Sequence, residues 1–340
     1  MAAGGRKPGV RLKRESNACS TGRVSWDALP LVDAGDDRPL IERRAVVRGG
    51  FYEMQARTVI EKVPLSAGIG QRWGVSPYRG CVHACRGCAA RAGHRRLGLD
   101  AGRDFDTRIV VRPNVVARLR AELGRWGGEP LAVGVGGDCY QEAERTYRLM
   151  PGIVAALAEA AVPFSVYTRS PLVVRDAEVL AAAGAQVAVS IAFVDERIRR
   201  AVEPGAVGAQ ARLELVSSLV EAGVDCRVLM APVVPLLSDG ADQLAATVRR
   251  IAAAGASAVE PVVLRLPPGT QAWFGEWLAG AHPHLVERYA ELYDRAGVPS
   301  PAYEQRILGQ IGQLCRRYGV RVGPVAPVPR EPRFPQLTLV

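Results

Sequence analysis

Three glycines, Gly184, Gly223 and Gly255, each end a segment of helical period and are followed at once by a run rich in β-branched residues. A glycine just past a helix supplies the left-handed residue that stops it. A new strand directly afterwards means that each helix serves as a crossover, and crossovers join parallel strands. The strand runs are Arg108–Val111, Leu131–Val135, Phe164–Thr168, Gln186–Ile191, Cys226–Val234 and Ala258–Leu266, with helical segments at 114–125, 146–160, 174–183, 209–222 and 241–254. The runs are nearly all apolar, as in a parallel sheet buried on both faces. The expected class is α/β, with six βα units curling into a partial (βα)6 TIM-like barrel. Chemistry in such folds gathers at the carboxyl ends of the strands.

Around this core, residues 1–25 are polar and aperiodic and read as a disordered basic arm. Residues 26–70 form an irregular lead-in, 71–270 the barrel, 271–325 a helical C-terminal extension with helices over 273–296 and 302–318, and 326–340 a Pro-rich tail. No apolar run approaches the ~18–20 residues that cross a bilayer. The basic N-terminus has no apolar segment behind it, so a secretory signal is not expected. The expected compartment is the cytoplasm. Seven cysteines agree with it, because an odd count in so long a chain makes a poor disulfide framework.

Three of the seven fall within eight residues, in Ser76-Pro77-Tyr78-Arg79-Gly80-Cys81-Val82-His83-Ala84-Cys85-Arg86-Gly87-Cys88. The C-x3-C-x2-C spacing brings three thiolates to one site. Cysteine thiolates hold iron–sulfur clusters, and three ligands on a 4Fe–4S cubane leave one iron open. The amino and carboxylate groups of S-adenosylmethionine can chelate that iron. Electron transfer into the sulfonium then releases methionine and a 5′-deoxyadenosyl radical. Two other readings use the same residues: a Cys3His zinc site completed by His83 or His94, or a buried inert trio. Zinc ligands normally come in two separated pairs, which disfavours the first.

Further candidates follow individual strands. Gly134-Val135-Gly136-Gly137-Asp138 is a turn where backbone approaches a ligand closely and Asp138 accepts bonds from an ammonium group. Its plain alternative is an ordinary Gly-rich turn. Arg169 offers a fork matched to a carboxylate, or else a solvated side chain beside a capping Ser170. Ser190 either reaches ribose hydroxyls or fills core space. Cys139 is a hydrogen-atom donor near the radical, or a small buried thiol.

The cysteine motif, together with Ala90-Arg91, Gly98-Leu99, Asp104–Arg108, Tyr140-Gln141, Glu144 and Thr168-Arg169-Ser170, resembles the radical S-adenosylmethionine superfamily, in its subgroup related to spore photoproduct lyase. The resemblance covers roughly 71–270. It implies the 4Fe–4S cluster on Cys81, Cys85 and Cys88, and S-adenosylmethionine held by Gly136, Gly137, Asp138, Arg169 and Ser190. Ala231-Pro232-Val233 and Leu264–Pro267 would flank the adenine. A reductant such as flavodoxin or ferredoxin is implied as partner. The family's own loop cysteine precedes the acidic residue, whereas Cys139 follows Asp138. A second departure is Gly87, which stands where the family carries an aromatic ring.

The net charge of +10 is uneven: residues 1–25 carry six basic side chains against one acid, and residues 79–125 eleven arginines against four acids. A basic surface attracts phosphate polymers, so a nucleic-acid or nucleotide substrate leads. A small molecule or peptide substrate is the alternative, and a zinc-stabilised nucleic-acid-binding protein without redox chemistry is a third reading.

Overall fold

The computed structural model describes residues 45–323. The basic arm, part of the lead-in and the Pro-rich tail lie outside the described residues. Along the chain the strands are β1 (Val46–Arg48), β2 (Phe51–Glu53), β3 (Ile60–Lys62), β4 (Trp73–Val75), β5 (Tyr78–Arg79), β6 (Val110–Val111), β7 (Leu131–Val133), β8 (Phe164–Thr168), β9 (Gln186–Ser190), β10 (Asp225–Val233), β11 (Ala258–Val263) and β12 (Arg321–Val322). The main sheet runs β12-β11-β10-β9-β8-β7-β4-β3. Every pair from β4 to β12 is parallel, and β3 alone runs antiparallel, on β4. Six parallel strands in sequence order, β4 and β7 to β11, form the (βα)6 core. The sheet is open, with β3 and β12 as its edges. Gly184, Gly223 and Gly255 all have left-handed φ, at 64°, 80° and 84°, and stop their helices as expected.

Strand alternation explains the two faces. Leu131, Val133, Phe164, Val166, Val187, Val189, Val228 and Val259 share one core with the helices, packing on Leu119, Leu157, Leu180, Val216 and Val248. The other face is narrower and carries Ala132, Tyr167 and Ala188, against which Val63 and Ile69 pack. Gly68, at φ +68°, passes so close to β11 that a Cβ there would lie 2.4 Å from Val262 Cγ1. The end of the lead-in therefore fills the concave side of the sheet rather than standing apart from it. Polar contacts line it: Tyr167 donates to Gln71 (2.7 Å), and Arg227 donates to the Tyr167 hydroxyl (2.8 Å).

Two sequence expectations change. The sequence pattern makes Arg108–Val111 the first barrel strand, but Val110–Val111 belongs to a side sheet of order β1-β2-β6-β5. The first parallel strand is Trp73–Val75, too short and too broken by Gly74 to show as a run. That glycine is required because a Cβ would fall 2.6 Å from the Ala132 carbonyl. The helix expected over 273–296 is two helices, Gln271–Ala281 and Val286–Leu292, separated by a single turn at Pro283–Leu285. Proline lacks the N–H that a continuous helix needs there. The last helix, Pro301–Arg317, matches the expected span closely. Among the described residues no helix is long and apolar enough to cross a membrane.

Glu144 is fully buried in the short helix Glu142–Tyr147. Its carboxylate accepts from the Tyr78 hydroxyl (2.6 Å), from Arg175 (2.6 Å) and from the backbone N–H groups of Leu149 (2.9 Å) and Met150 (3.1 Å). It thereby caps the next helix, Leu149–Glu159, and anchors β5, which leads into the cysteine loop. Replacement Glu144→Ala strands the buried Tyr78 hydroxyl and uncaps the helix Leu149–Glu159, while Arg175 keeps Asp176, and should cost about 2–4 kcal/mol in a denaturant melt. A loss under about 1 kcal/mol, the level of an ordinary surface change, would contradict this account.

Candidate active site around the cysteine loop

Burying an irregular loop requires a partner for each backbone polar group, and the cysteine loop finds them in long-range contacts. Cys81 N–H donates to the Phe105 carbonyl (2.9 Å) and Arg86 N–H to Val202 (2.8 Å). The His83 carbonyl accepts from Gly205 N–H (3.0 Å). Gln141 donates to the Gly80 carbonyl (3.0 Å) and accepts from Val82 N–H (3.3 Å). Arg91, with no exposed surface, donates to the carbonyls of Cys85 (2.8 Å), Ala101 and Gly102 and pairs with Asp106 (2.6 Å). Tyr140, Gln141 and Glu144 brace this loop and its neighbours; Tyr140 donates to Asp176 (3.0 Å).

Cys81 and Cys85 are buried and Cys88 is half-buried. Burial, then the nearby Asp138 charge, pushes the Cys81 thiol up to about 12. Burial also raises Cys85, while Arg169 pulls it the other way. Cys88 adds to the upward push on both, which places the three sulfurs within electrostatic reach of one another. Among the described residues they are not drawn together into a preformed metal cage. The donor set is three soft sulfurs with no carboxylate, which suits an iron–sulfur cluster. A bound cation would supply the charge compensation that buried thiolates need. The histidines required for a Cys3His zinc site are otherwise engaged. His83 faces Asp138 (3.0 Å) through Nε2 and the Gly205 carbonyl (3.4 Å) through Nδ1. His94 is buried with Nε2 on the Arg108 carbonyl (3.2 Å), and that burial pushes it down to about 4.

The remaining candidates sit at strand carboxyl ends. After β7, Gly136 and Gly137 press on the cysteine loop: a Cβ on Gly136 would lie 2.8 Å from Arg79 Nη1, and one on Gly137 would lie 2.5 Å from the Gly80 carbonyl. Asp138 accepts from His83, Thr168 (2.7 Å), Tyr140 N–H (2.9 Å) and Arg169 N–H (2.8 Å). Burial alone would raise its carboxyl; the bonds from His83, Thr168 and Arg169 outweigh it and hold the group at about 2. These four partners are internal, so Asp138 joins the cysteine loop to the start of the turn after β8. Arg169 donates to Cys85 Sγ and to Ser190 Oγ (2.9 Å) and pairs with Glu203 (3.2 Å). Ser190 in turn donates to the Ala231 carbonyl (3.1 Å). Cys139 differs: its sulfur is fully buried in the core shared with Val133 and Val166 and lies 3.7 Å from the Tyr167 carbonyl. That is the placement of a small packing residue.

Sequence reasoning missed Glu203. It is fully buried and bridges Arg169 and Arg212 (2.6 Å). The overlooked helix Glu196–Val202 delivers it. The available signal was Glu203-Pro204-Gly205 after that helix, with Gly205 so close to the cysteine loop that a Cβ would lie 2.2 Å from the Val82 carbonyl.

The sequence pattern of the Radical SAM superfamily matches residues 75–248, slightly more than half the chain. The chain belongs to the radical SAM superfamily. As a radical SAM protein it is 43% identical to an uncharacterized protein of Mycobacterium tuberculosis over 91% of this chain and 94% of the relative. An uncharacterized protein of Methanocaldococcus jannaschii is 23% identical over 50% of this chain and 63% of the relative. The fold is similar to spore photoproduct lyase complexed with dinucleoside spore photoproduct (TM-score 0.63, 12% identity, covering 79% and 80% of the two chains). It is also similar to Streptococcus suis SuiB bound to S-adenosylmethionine (TM-score 0.50, 12% identity, 74% and 48%). Membership makes the protein a radical SAM enzyme that uses S-adenosylmethionine and an iron–sulfur cluster and takes electrons from an external reductant.

The glycine contacts yield a paired test. Gly137→Ala overpacks the turn against Gly80 and should cost about 1–3 kcal/mol and reduce the iron taken up on reconstitution. Gly93→Ala, where a Cβ meets nothing within 4 Å, should be neutral in both measurements. Equal behaviour of the two variants would remove the packing explanation.

Proposed function

We propose that the cluster is a 4Fe–4S cubane on Cys81, Cys85 and Cys88, and that the enzyme abstracts hydrogen from a nucleic-acid or nucleotide substrate. When bound, the cluster and S-adenosylmethionine supply a 5′-deoxyadenosyl radical. The protein's residues bind, orient and shield. The observation that carries this reading is Arg169: one guanidinium spans Cys85 Sγ and Ser190 Oγ, so a carboxylate-binding fork stands beside a cluster thiol. In this reading Arg169 takes the methionine carboxylate, Ser190 lies toward the ribose, and Gly136 and Gly137 allow close backbone approach. Asp138, with its oxygens committed to His83, Thr168 and the backbone, holds Arg169 and the cysteine loop in register.

Support for a nucleic-acid substrate is electrostatic. Arg95, Arg96 and Arg103 are exposed just past the cysteine loop, where phosphates would meet them. The fold likeness to a lyase complexed with a dinucleoside agrees with that choice. A flavodoxin or ferredoxin is the proposed reductant. The proposed compartment is the cytoplasm, where thiols stay reduced.

Anaerobic reconstitution with iron and sulfide, followed by reduction in the presence of S-adenosylmethionine, should yield 5′-deoxyadenosine. Cys81→Ala, Cys85→Ala and Cys88→Ala should each abolish it along with the cluster absorbance. Stoichiometric zinc without iron in oxygen-protected protein would overturn the assignment. Binding to single-stranded and duplex DNA should weaken steeply with added salt; a flat response would shift the substrate to a small molecule or peptide.

A further inference from the structure

We infer that Leu264 is the apolar cover over the Cys88 flank of the cysteine loop, occupying the space that a side chain at position 87 would take. The inference rests on the proposed reading of Cys81, Cys85 and Cys88 as cluster ligands. Gly87 directly precedes Cys88, and a Cβ built on it would lie 2.4 Å from Leu264 Cδ1, well inside any real carbon–carbon contact. A side chain at 87 can therefore enter only if the Leu264 methyl gives way, since the two compete for one space. In this chain the side chain comes from the strand and not from the loop.

Leu264 is fixed from several directions. It follows β11 directly, its N–H donates to the Val233 carbonyl (3.0 Å), and its own carbonyl accepts from the Tyr293 hydroxyl (2.9 Å). The side chain is 1% exposed and packs in a group with Phe193, Val234, Leu266 and Phe274. A second residue of the same segment supports the cover. The Trp273 ring lies 5.4 Å from the Arg86 guanidinium and 5.1 Å from that of Arg91, and it presses on Gly102, where a Cβ would lie 2.6 Å away. Leu264 at the end of the barrel and Trp273 at the start of the C-terminal extension thus pack on Gly87 and Arg86. This is the flank that needs covering, because Cys88 is half-buried while Cys81 and Cys85 are buried. An apolar group packed on Gly87, the residue before Cys88, lowers the access of water and polar solutes to this end of the loop.

The test uses reconstituted holoenzyme under strict anaerobiosis and follows the loss of cluster absorbance as EDTA strips the iron. Leu264→Ala should strip about tenfold faster than the parent, equivalent to about 1.4 kcal/mol, while Leu264→Met keeps the parent rate. Gly87→Phe alone should take up little iron, since ring and leucine collide. Gly87→Phe with Leu264→Gly should recover both iron content and slow stripping, because the cover is then supplied from the loop. Unchanged stripping in Leu264→Ala, or a double variant no better than Gly87→Phe alone, would overturn the inference. Should Leu264→Ala fail to fold, the double variant against Gly87→Phe decides it. A parent protein that takes up no iron–sulfur cluster fails differently: it removes the underlying ligand assignment before any variant is compared.

Discussion

An irregular loop carrying three sulfurs can be buried only if its backbone polar groups are satisfied, and the architecture around the cysteines follows from that requirement. Donors and acceptors come from Phe105, Gln141, Val202 and Gly205, separated by up to about a third of the chain, and from the buried Arg91. Glycines at 80, 136, 137 and 205 let those segments meet at distances a side chain would forbid. Removing a side chain at these contacts brings backbone to backbone, and the loop becomes part of the barrel mouth.

Buried charge sets the second level of order. Glu203 lies between Arg169 and Arg212, and Asp138 gathers four donors. Each is a desolvated carboxylate whose pKa its donors hold down against burial. Arg169 is held from both ends, by its own N–H on Asp138 and by its guanidinium on Glu203, so its direction toward Cys85 is fixed by these two carboxylates. The covering segment at Leu264 and Trp273 then closes the flank that these charges leave open.

Periodicity and punctuation were legible from composition along the chain. The strands from Leu131 onward and the helices ending at Gly184, Gly223 and Gly255 appear within a residue or a few of the expected positions. Trp73–Val75 was hidden because a three-residue strand containing glycine has no pattern to detect, and Val110–Val111 misled because two valines look alike in a barrel and in a side sheet. Among the site residues, the cysteine triplet stood out by spacing. Arg169 stood out by position just after a strand and Ser190 by position at the end of one. Cys139 stands next to Asp138 in sequence, and its side chain is buried in the aliphatic core.

What the sequence settled by itself was local: which segments are strands and helices, where each helix stops, and that three thiols share one loop. Such features depend on neighbours a few residues apart, through backbone propensity and hydrophobic period. Tertiary structure alone decided that Glu203 aims Arg169, that Gln141 and Glu144 brace the cysteine loop and its neighbours, and that Leu264 fills the gap at Gly87. Those outcomes depend on excluded volume and desolvated charge between segments remote in the chain, and no local pattern encodes a distance of closest approach.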